Sequence, residues 1–213
     1  MIQKEEEELL ELTAQASRHV VMAQVMRDVY NRIKKFVELL FKARVQWKFM
    51  VLAFVLDFSQ NLNVPSYSEE QPGETYYFSP LNAYLFGIYT FIHDRLKAFV
   101  YLEGEAKKGG NNVASMIIHF LKETFIELKE LYKELGMKND GPIDSIYLFF
   151  DNCGGQNKNR FVIRLLHLLV LSGICKNAFA IFLIRGHTKN DCDRMFNLVK
   201  INYRKKIFLL QIK

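Results

Sequence analysis

Residues 145–160, with the sequence SIYLFFDNCGGQNKNR, restrict the fold of this chain more than any other segment. The apolar run at 146–150 is too short for a helix and rich in β-branched and aromatic residues, so it predicts a buried β-strand. Asp151 ends the run, and Gly154 and Gly155 follow it. A carboxylate at the tip of a buried strand, followed by glycines, occupies the position where α/β folds place their chemistry. A simple turn that ends a strand fits the same residues.

A second apolar run, FMVLAFVLD at residues 49–57, also ends in an aspartate. Runs without polar alternation are typical of strands that are buried on both faces. If the two strands are parallel neighbours, Asp57 and Asp151 meet at one edge of the sheet. Two buried carboxylates repel each other, and a divalent cation with oxygen ligands, Mg²⁺ or Mn²⁺, is the simplest group that relieves the repulsion.

Composition narrows the class of protein. The chain has 213 residues, of which 50% are hydrophobic, so it is long enough for one large domain and is not a disordered chain. Lysine and arginine number 29 against 23 acids, and the net charge of +6 favours polyanionic partners such as DNA. The three cysteines form no C-x-x-C pair, which predicts a reducing location, nuclear or cytoplasmic. No signal-peptide pattern and no apolar run of membrane-spanning length occur, so we predict no membrane partner.

The rest of the chain supplies further elements in a definite order. Helices are predicted at 4–46, as one long helix or two shorter ones, at 113–135, at 158–172, and after Thr188 or Asn190. Strands are predicted at 49–57, within 76–90 as one or two strands, and at 96–103, 146–150 and 178–184. Trp47 marks the approach to the first strand. We divide the chain into an N-terminal helical extension (1–47), a catalytic-type domain (48–203) and a short basic and apolar tail (204–213).

The apolar residues of the first helix recur at helical spacing. This pattern favours core packing or pairing with another helix, which leaves a homo-oligomer open. After this helix the order is strand, strand, strand, helix, strand, helix, strand, helix. It is the order of the RNase H-like fold, an α/β fold with a mixed five-stranded sheet and helices on both faces. The first and fourth strands of that fold are parallel neighbours, so Asp57 and Asp151 converge. Residues 186–194, GHTKNDCDR, then supply a third acid, Asp191 or Asp193.

Five blocks of the sequence resemble a known family. In chain order they are LDFSQNL, LNAYLFGIYT, YLEGEAKKGGNNVAS, DNCGGQNKNR and GHTKNDCDRMF. They resemble an uncharacterised family of transposase-derived eukaryotic proteins with the motifs D-x-Q-Q-N-L, D-N-C-x-G-Q-N-K-N and G-H-T followed by D-x-D. The resemblance covers residues 49–200, and Ser59 and Leu102 depart from the family pattern. The chain is similar to a truncated copy of such a protein.

The resemblance implies a DDE-type, RNase H-like domain that acts on DNA as a polynucleotidyl transferase or nuclease. Its acids are Asp57, Asp151 and either Asp191 or Asp193, with Glu103 as an additional candidate. Two Mg²⁺ or Mn²⁺ ions about 3.5–4 Å apart are expected to activate a water or a 3′-hydroxyl and to stabilise the leaving oxygen. Six side chains are expected to border the site and to contact nucleic acid: Lys107, Lys108, Lys158, Arg160, Arg185 and His187.

Two other functions fit the same residues. A catalytically inactive, transposon-derived remnant could keep the fold and serve as a DNA-binding or protein-interaction module. A cysteine enzyme built on Cys153 is the weaker alternative, because Asp151 nearby already has a role and no histidine is assignable as the partner of the thiol.

Overall fold

The structure of this chain is a computed structural model that describes residues 2–42, 50–66, 73, 77, 79–134 and 141–204. Within these ranges the chain forms four helices and six strands. In chain order they are α1 (Ile2–Lys42), β1 (Val51–Phe58), β2 (Leu62–Val64), β3 (Leu81–Thr90), β4 (Arg95–Leu102), α2 (Gly110–Glu134), β5 (Ile143–Phe150), α3 (Arg160–Leu171), β6 (Cys175–Phe182) and α4 (Asp191–Arg204). The predictions for Trp47, for residues 43–46 and 135, and for the tail at 205–213 lie outside the described residues.

All six strands belong to one mixed sheet. β1 pairs in parallel with β5, with Val51 opposite Ser145 and Leu56 opposite Phe150, and it pairs antiparallel with β3. β6 extends the sheet in parallel beyond β5, and β4 extends it antiparallel beyond β3. The five long strands therefore lie in the order β4-β3-β1-β5-β6. This order, with the first and fourth long strands as parallel neighbours, confirms the predicted RNase H-like fold class.

β2 adds a sixth strand to the five that the sequence predicts. It pairs antiparallel with β3, with Leu62 opposite Ala83 and Val64 opposite Leu81. Three residues are too few to show the alternation of apolar and polar side chains that reveals a strand in a sequence. The extra strand ties the chain that leaves β1 to its neighbour in the sheet, and so it fixes the path of the segment that follows Asp57.

Helices cover both faces of the sheet, as the sequence predicts. On one face the ring of Phe54 in β1 packs edge-on against Phe120 of α2, with centroids 5.0 Å apart. Phe54 lies opposite Leu148, so the next residue of β5, Phe149, points to the other face. There its ring centroid lies 4.9 Å from that of Tyr30 in α1. α3 contacts α2 on the first face, and α4 is hydrogen-bonded to α1 on the second, so each face carries two helices.

β1 is the centre of the hydrophobic core. Its residues from Val51 to Leu56 are all buried, which is the expected state of an apolar run between two sheet neighbours. Complete burial of a side chain such as Leu or Phe contributes about 1.5–3 kcal/mol to folding. The strand is therefore held firmly on both faces, and its last residues, Asp57 and Phe58, leave the core at a fixed position.

α1 is one continuous helix of 41 residues, and its two halves differ in environment. Every side chain at 5–22 is exposed, whereas Ala23 and Val37 are buried against the sheet. The C-terminal half of α1 is thus a structural part of the α/β unit. Neither α1 nor any other helix in the described residues is long and apolar enough to cross a membrane.

Gly110, the first residue of α2, touches the loop that leads into α3. A Cβ atom on Gly110 would lie 2.3–2.5 Å from three side-chain atoms of Asn159. The Oδ1 of Asn159 accepts hydrogen bonds from the backbone N–H groups of Phe161 and Val162, and Asn159 is the N-cap of α3. The blocks YLEGEAKKGGNNVAS and DNCGGQNKNR therefore interlock at this contact.

Gly110→Ala is expected to lower the free energy of unfolding by about 1–3 kcal/mol. The added methyl group must displace Asn159, because the two would overlap. Overpacking a close contact typically costs about 1–3 kcal/mol, and loss of a helix cap alone costs about 1 kcal/mol. Gly109→Ala is the matched control, since a Cβ at Gly109 meets no atom within 4 Å. Urea unfolding followed by circular dichroism measures both variants. Equal stabilities for the two variants would show that the close approach has no energetic role.

Candidate active site

Three carboxylates lie together at the C-terminal edge of the parallel strands, and we call this group the carboxylate edge: Asp57, Asp151 and Asp193. Asp57 is the first residue of β1 beyond its pairing with β5, and Asp151 follows β5 directly; each lies one residue beyond the matched pair of Leu56 and Phe150. Asp193 belongs to the first turn of α4. The negative charges of Asp193 and Asp151 both act on Asp57. The predicted convergence of the first two acids is therefore present, together with one acid from the last helix.

Asn190 joins β1 to the start of α4. Its side-chain Nδ2 donates a hydrogen bond of 3.1 Å to Oδ2 of Asp57, and its Oδ1 accepts one of 2.8 Å from the backbone N–H of Cys192. Its backbone N–H donates a bond of 3.0 Å to Oδ2 of Asp193. Asn190 and Asp193 thus form a reciprocal capping box, and of the two predicted caps the structure has Asn190. One side chain holds both the acid of β1 and the helix that carries the acid of α4.

The environment of Asp57 makes its ionisation unfavourable. Burial raises the pKa of Asp57 from 3.8 to about 7; the charges of Asp193 and Asp151 act in the same direction, and the hydrogen bond from Asn190 opposes them. A buried carboxylate beside two other acids is a typical feature of sites that hold a proton or a cation. Asp57 is therefore the chemically distinctive residue of the edge.

Asp191, the other candidate for the third acid, is engaged by α1. Its Oδ2 accepts hydrogen bonds of 2.6 Å from the hydroxyl of Tyr30 and of 2.7 Å from Nζ of Lys34. Burial and the bond to Asp191 raise the pKa of Tyr30, so this hydroxyl stays a donor. Arg194 lies 3.7 Å from the second oxygen, Oδ1. The geometry therefore favours Asp193 as the third acid of the edge, whereas Asp191 ties α4 to α1.

Glu103 lies in a polar cluster of its own. Its carboxylate accepts a hydrogen bond of 2.7 Å from Nδ2 of Asn82, and the Oδ1 of Asn82 accepts one of 3.0 Å from Asn61. The backbone N–H of Glu103 also donates to the carbonyl of Asn82. Glu103 follows β4 directly and lies at the same end of the sheet, but within the described residues its hydrogen bonds join it to Asn82 of β3 and not to the three aspartates.

The oxygen atoms of the carboxylate edge suit a hard divalent cation such as Mg²⁺ or Mn²⁺. Each carboxylate is held by a donor: Asp57 and Asp193 by Asn190, and Asp151 by the backbone N–H of Asn152 at 2.7 Å. In this arrangement no three acidic, histidine or cysteine side chains of the described residues lie close enough to coordinate one ion. The three carboxylates fit a divalent cation by donor chemistry, and joint coordination of one ion requires these side chains to move closer together.

Two buried polar atoms near the edge have no hydrogen-bond partner among the described residues. They are Oγ of Ser59, two positions after Asp57, and Oδ1 of Asn157, whose Nδ2 donates at 3.3 Å to the carbonyl of Asp151. Buried polar atoms of this kind are usually satisfied by water or by a bound group. Neither residue is among the site residues predicted from the sequence; the only signal for Asn157 is its place within DNCGGQNKNR.

Lys108 is a predicted basic residue whose charge interacts with that of Asp57. Its Nζ donates a hydrogen bond of 3.2 Å to the carbonyl of Ser59 and lies 5.0 Å and 5.1 Å from the ring centroids of Phe58 and Tyr84. Burial lowers the pKa of Lys108, and the charge of Asp57 opposes this effect. A half-buried ammonium group thus lies beside the most strongly perturbed carboxylate.

The other predicted contact residues are exposed and lie in loops on the same side of the sheet. β1, β4, β5 and β6 all run in one direction, so the loops at their C-terminal ends share one edge. Lys158 has its Nζ 5.7 Å from the ring of Phe182, and the ring of His187 lies 5.3 Å from that of His19 in α1. Among the predicted contact residues, those exposed in these loops and in the adjoining first turn of α3 are Lys107, Lys158, Arg160, Arg185 and His187. They give this edge a basic rim around an acidic centre.

Comparison with known proteins identifies the family of this chain. A family model described as a domain of unknown function, DUF7869, matches residues 76–208, which is more than half of the chain. The matched span contains Asp151, Asp193 and Lys108 and begins after Asp57. No curated protein and no solved structure matches the chain. The chain belongs to the DUF7869 family.

Proposed function

We propose that this chain is a metal-dependent DDE-type domain that breaks or transfers phosphodiester bonds of DNA. The observation that carries the proposal is the carboxylate edge. Asp57 and Asp151 lie at the ends of two parallel strands, and the pKa of Asp57 is raised to about 7 in the presence of Asp151 and of Asp193 from α4. The resemblance of five sequence blocks to transposase-derived proteins supports DNA as the substrate. The basic rim of exposed lysine and arginine residues around the acids supports a polyanionic substrate as well.

Asp57, Asp151 and Asp193 are the residues that hold Mg²⁺ or Mn²⁺ in this proposal. Bound divalent cations supply Lewis-acid activation of a water or 3′-hydroxyl and neutralise the charge of the leaving oxygen. Asn190 orients Asp57 and the start of α4 through three of its hydrogen bonds. Lys108 contributes a fixed positive charge beside the acids, where a phosphate group of the substrate is expected to approach.

A second candidate is a DNA-binding module without catalytic activity. The observation that favours it is that no three potential ligands of the described residues share a coordination sphere. Such a module keeps the fold and the basic rim and loses the chemistry. The two candidates differ in one measurable property, which is cleavage of a DNA strand in the presence of a divalent cation.

Incubation of supercoiled plasmid with the protein and Mn²⁺ is expected to give slow nicking that EDTA stops. Asp151→Asn is expected to abolish the nicking, because the amide is a poor ligand for a divalent cation. Asp144→Asn is the matched control: Asp144 lies at the opposite end of β5, where its carboxylate binds Lys176. Nicking that survives Asp151→Asn contradicts the proposed site. DNA binding without any nicking favours the non-catalytic module.

DNA binding is expected to depend strongly on salt and little on sequence. The plot of log K against log salt has a negative slope, and each phosphate contact that is removed makes this slope shallower by about 0.9. Two double variants are expected to make the slope shallower, each by the equivalent of up to two phosphate contacts. They are Lys107→Ala with Lys108→Ala, and Lys158→Ala with Arg160→Ala. The control pair is Lys129→Ala with Lys133→Ala, roughly 30 Å along α2 from the carboxylate edge. Fluorescence anisotropy at several salt concentrations measures the slopes, and unchanged slopes in both rim variants place the contact elsewhere.

A further inference from the structure

α1 carries an apolar stripe that does not face its own domain, and we call these residues the α1 seam: Met22, Val25, Val29, Phe36 and Leu39. The exposed fraction of each side chain lies between 37% and 59%. The residues that face the sheet form a different stripe, of which Ala23 and Val37 are buried. All five side chains are exposed, so the α1 seam is open to solvent in the described part of the chain. The helix therefore has two apolar faces, and only one of them is used within the chain.

The spacing of the α1 seam is that of a helix-pairing surface. Its residues follow one another at intervals of three, four, seven and three positions, and Arg32 occupies the position that the interval of seven skips. Alternating intervals of three and four are the a and d positions of a heptad, which place side chains in the holes of a facing helix. We propose that the α1 seam binds the α1 seam of a second copy of this chain, with the two helices antiparallel.

The orientation follows from Arg32. In a parallel pair this residue faces the partner's Arg32 in the middle of an apolar interface, and two like charges there oppose association. In an antiparallel pair a positions face d positions, so Val29 lies opposite the partner's Arg32, and Val25 lies opposite the partner's Phe36. The two-fold axis then passes between residues 30 and 31, and both copies use the same surface.

The charges beside the α1 seam support the same orientation. Asp28, Arg32 and Lys35 are exposed, and none of them forms an ion pair within the described part of the chain; Asp28 accepts one hydrogen bond, of 3.0 Å, from Gln24. In the antiparallel pair Asp28 lies beside the partner's Arg32 and Lys35, and the symmetry repeats these contacts. In a parallel pair it lies beside the partner's Ile33, which packs against the core of its own copy. Charge complementarity therefore exists only in the antiparallel arrangement.

Sedimentation velocity over a range of protein concentrations tests the pairing. The chain is expected to be a dimer at high micromolar concentration, and Val29→Glu and Phe36→Glu are each expected to weaken the dimer at least about tenfold. Both positions are exposed, so the thermal midpoint of the diluted protein should not change. Asp28→Lys is expected to weaken the dimer several-fold, and Asp28→Lys with Arg32→Glu and Lys35→Glu is expected to restore it. A chain that stays monomeric at hundreds of micromolar overturns the proposal.

Cysteine cross-linking tests the orientation independently. Val25→Cys combined with Phe36→Cys is expected to give a disulfide-linked dimer on mild oxidation, whereas Val25→Cys alone is not. In an antiparallel pair two copies of residue 25 are 11 positions apart along the helix, roughly 16 Å, and in a parallel pair they are adjacent. The wild-type chain, with its free Cys153, Cys175 and Cys192, gives the background. Efficient cross-linking of Val25→Cys alone overturns the antiparallel arrangement.

Discussion

Asp193→Asn is expected to remove most of the stabilisation that Mn²⁺ gives this protein, whereas Asp191→Asn is expected to keep that response and to lower the free energy of unfolding instead. The asparagine at 193 can still accept the bond from the backbone N–H of Asn190, so the capping box survives. The loss of a ligand should weaken metal binding by at least about a hundredfold, since even outer-sphere partners of a metal are worth ten- to a hundredfold. A metal that binds only the native state raises the thermal midpoint, so the weaker affinity is directly visible.

The expected loss of stability in Asp191→Asn has a different origin. Nζ of Lys34 lies 2.7 Å from the Asp191 carboxylate, and the substitution leaves this ammonium group without its charged partner. Loss of one partner of a partly buried, charged hydrogen bond costs about 1–3 kcal/mol. Thermal unfolding of both variants, with and without Mn²⁺, separates the two effects. If Asp191→Asn loses the stabilisation by Mn²⁺ and Asp193→Asn keeps it, then Asp191 and not Asp193 is the metal ligand.

Asp57→Asn is expected to make the metal-free protein more stable at pH 8 by an amount on the order of 4 kcal/mol, and to change its stability little near pH 4. The pKa of Asp57 is about 7 in the folded chain against an ordinary 3.8. Between these two values the folded state keeps a proton that the unfolded state releases. The wild-type free energy of unfolding therefore falls as pH rises from about 4 through 7, and this contribution is absent in the variant.

Urea unfolding at pH 4.5 and pH 8 in the presence of EDTA measures this difference. The asparagine is nearly isosteric with the aspartate and can accept the bond from Nδ2 of Asn190, so packing is conserved. Mn²⁺ at pH 8 should stabilise the wild type and leave Asp57→Asn nearly unchanged. The same dependence on pH in both proteins would mean that Asp57 ionises normally in the folded chain and would remove the main support for a cation site.

The central part of the fold could be predicted from short-range sequence patterns. The runs at 49–56 and 146–150 contain no charged residue, and so short an apolar run is typical of a strand buried on both faces. The order of the remaining elements then left few topologies for a mixed sheet. β2 escaped prediction because a strand of three residues carries no periodic signal.

The choice between Asp191 and Asp193 could not be made from the sequence. Both residues lie in the first turn of α4, and two positions along a helix differ by about 200° around its axis, so only one of them can face the sheet edge. The contacts that decide the choice come from Lys34, 157 positions away, and from the bond of Asn190 to Asp57, 133 positions away. No local pattern contains information about such pairs.

The hydrogen bonds between α1 and α4 also have a consequence for the order of folding. Tyr30 and Asp191 are separated by 161 positions, and contacts between such distant residues form slowly because a large loop must close first. During synthesis the N-terminal segments can collapse before α4 exists. The like charges of Asp57 and Asp151 can meet on the sheet at that stage, but Asp193 joins them only when the last helix docks. The charge of Asp193 is thus added to those of Asp57 and Asp151 only when α4 docks, in the step that also brings the core residues Cys192 and Phe196 into place.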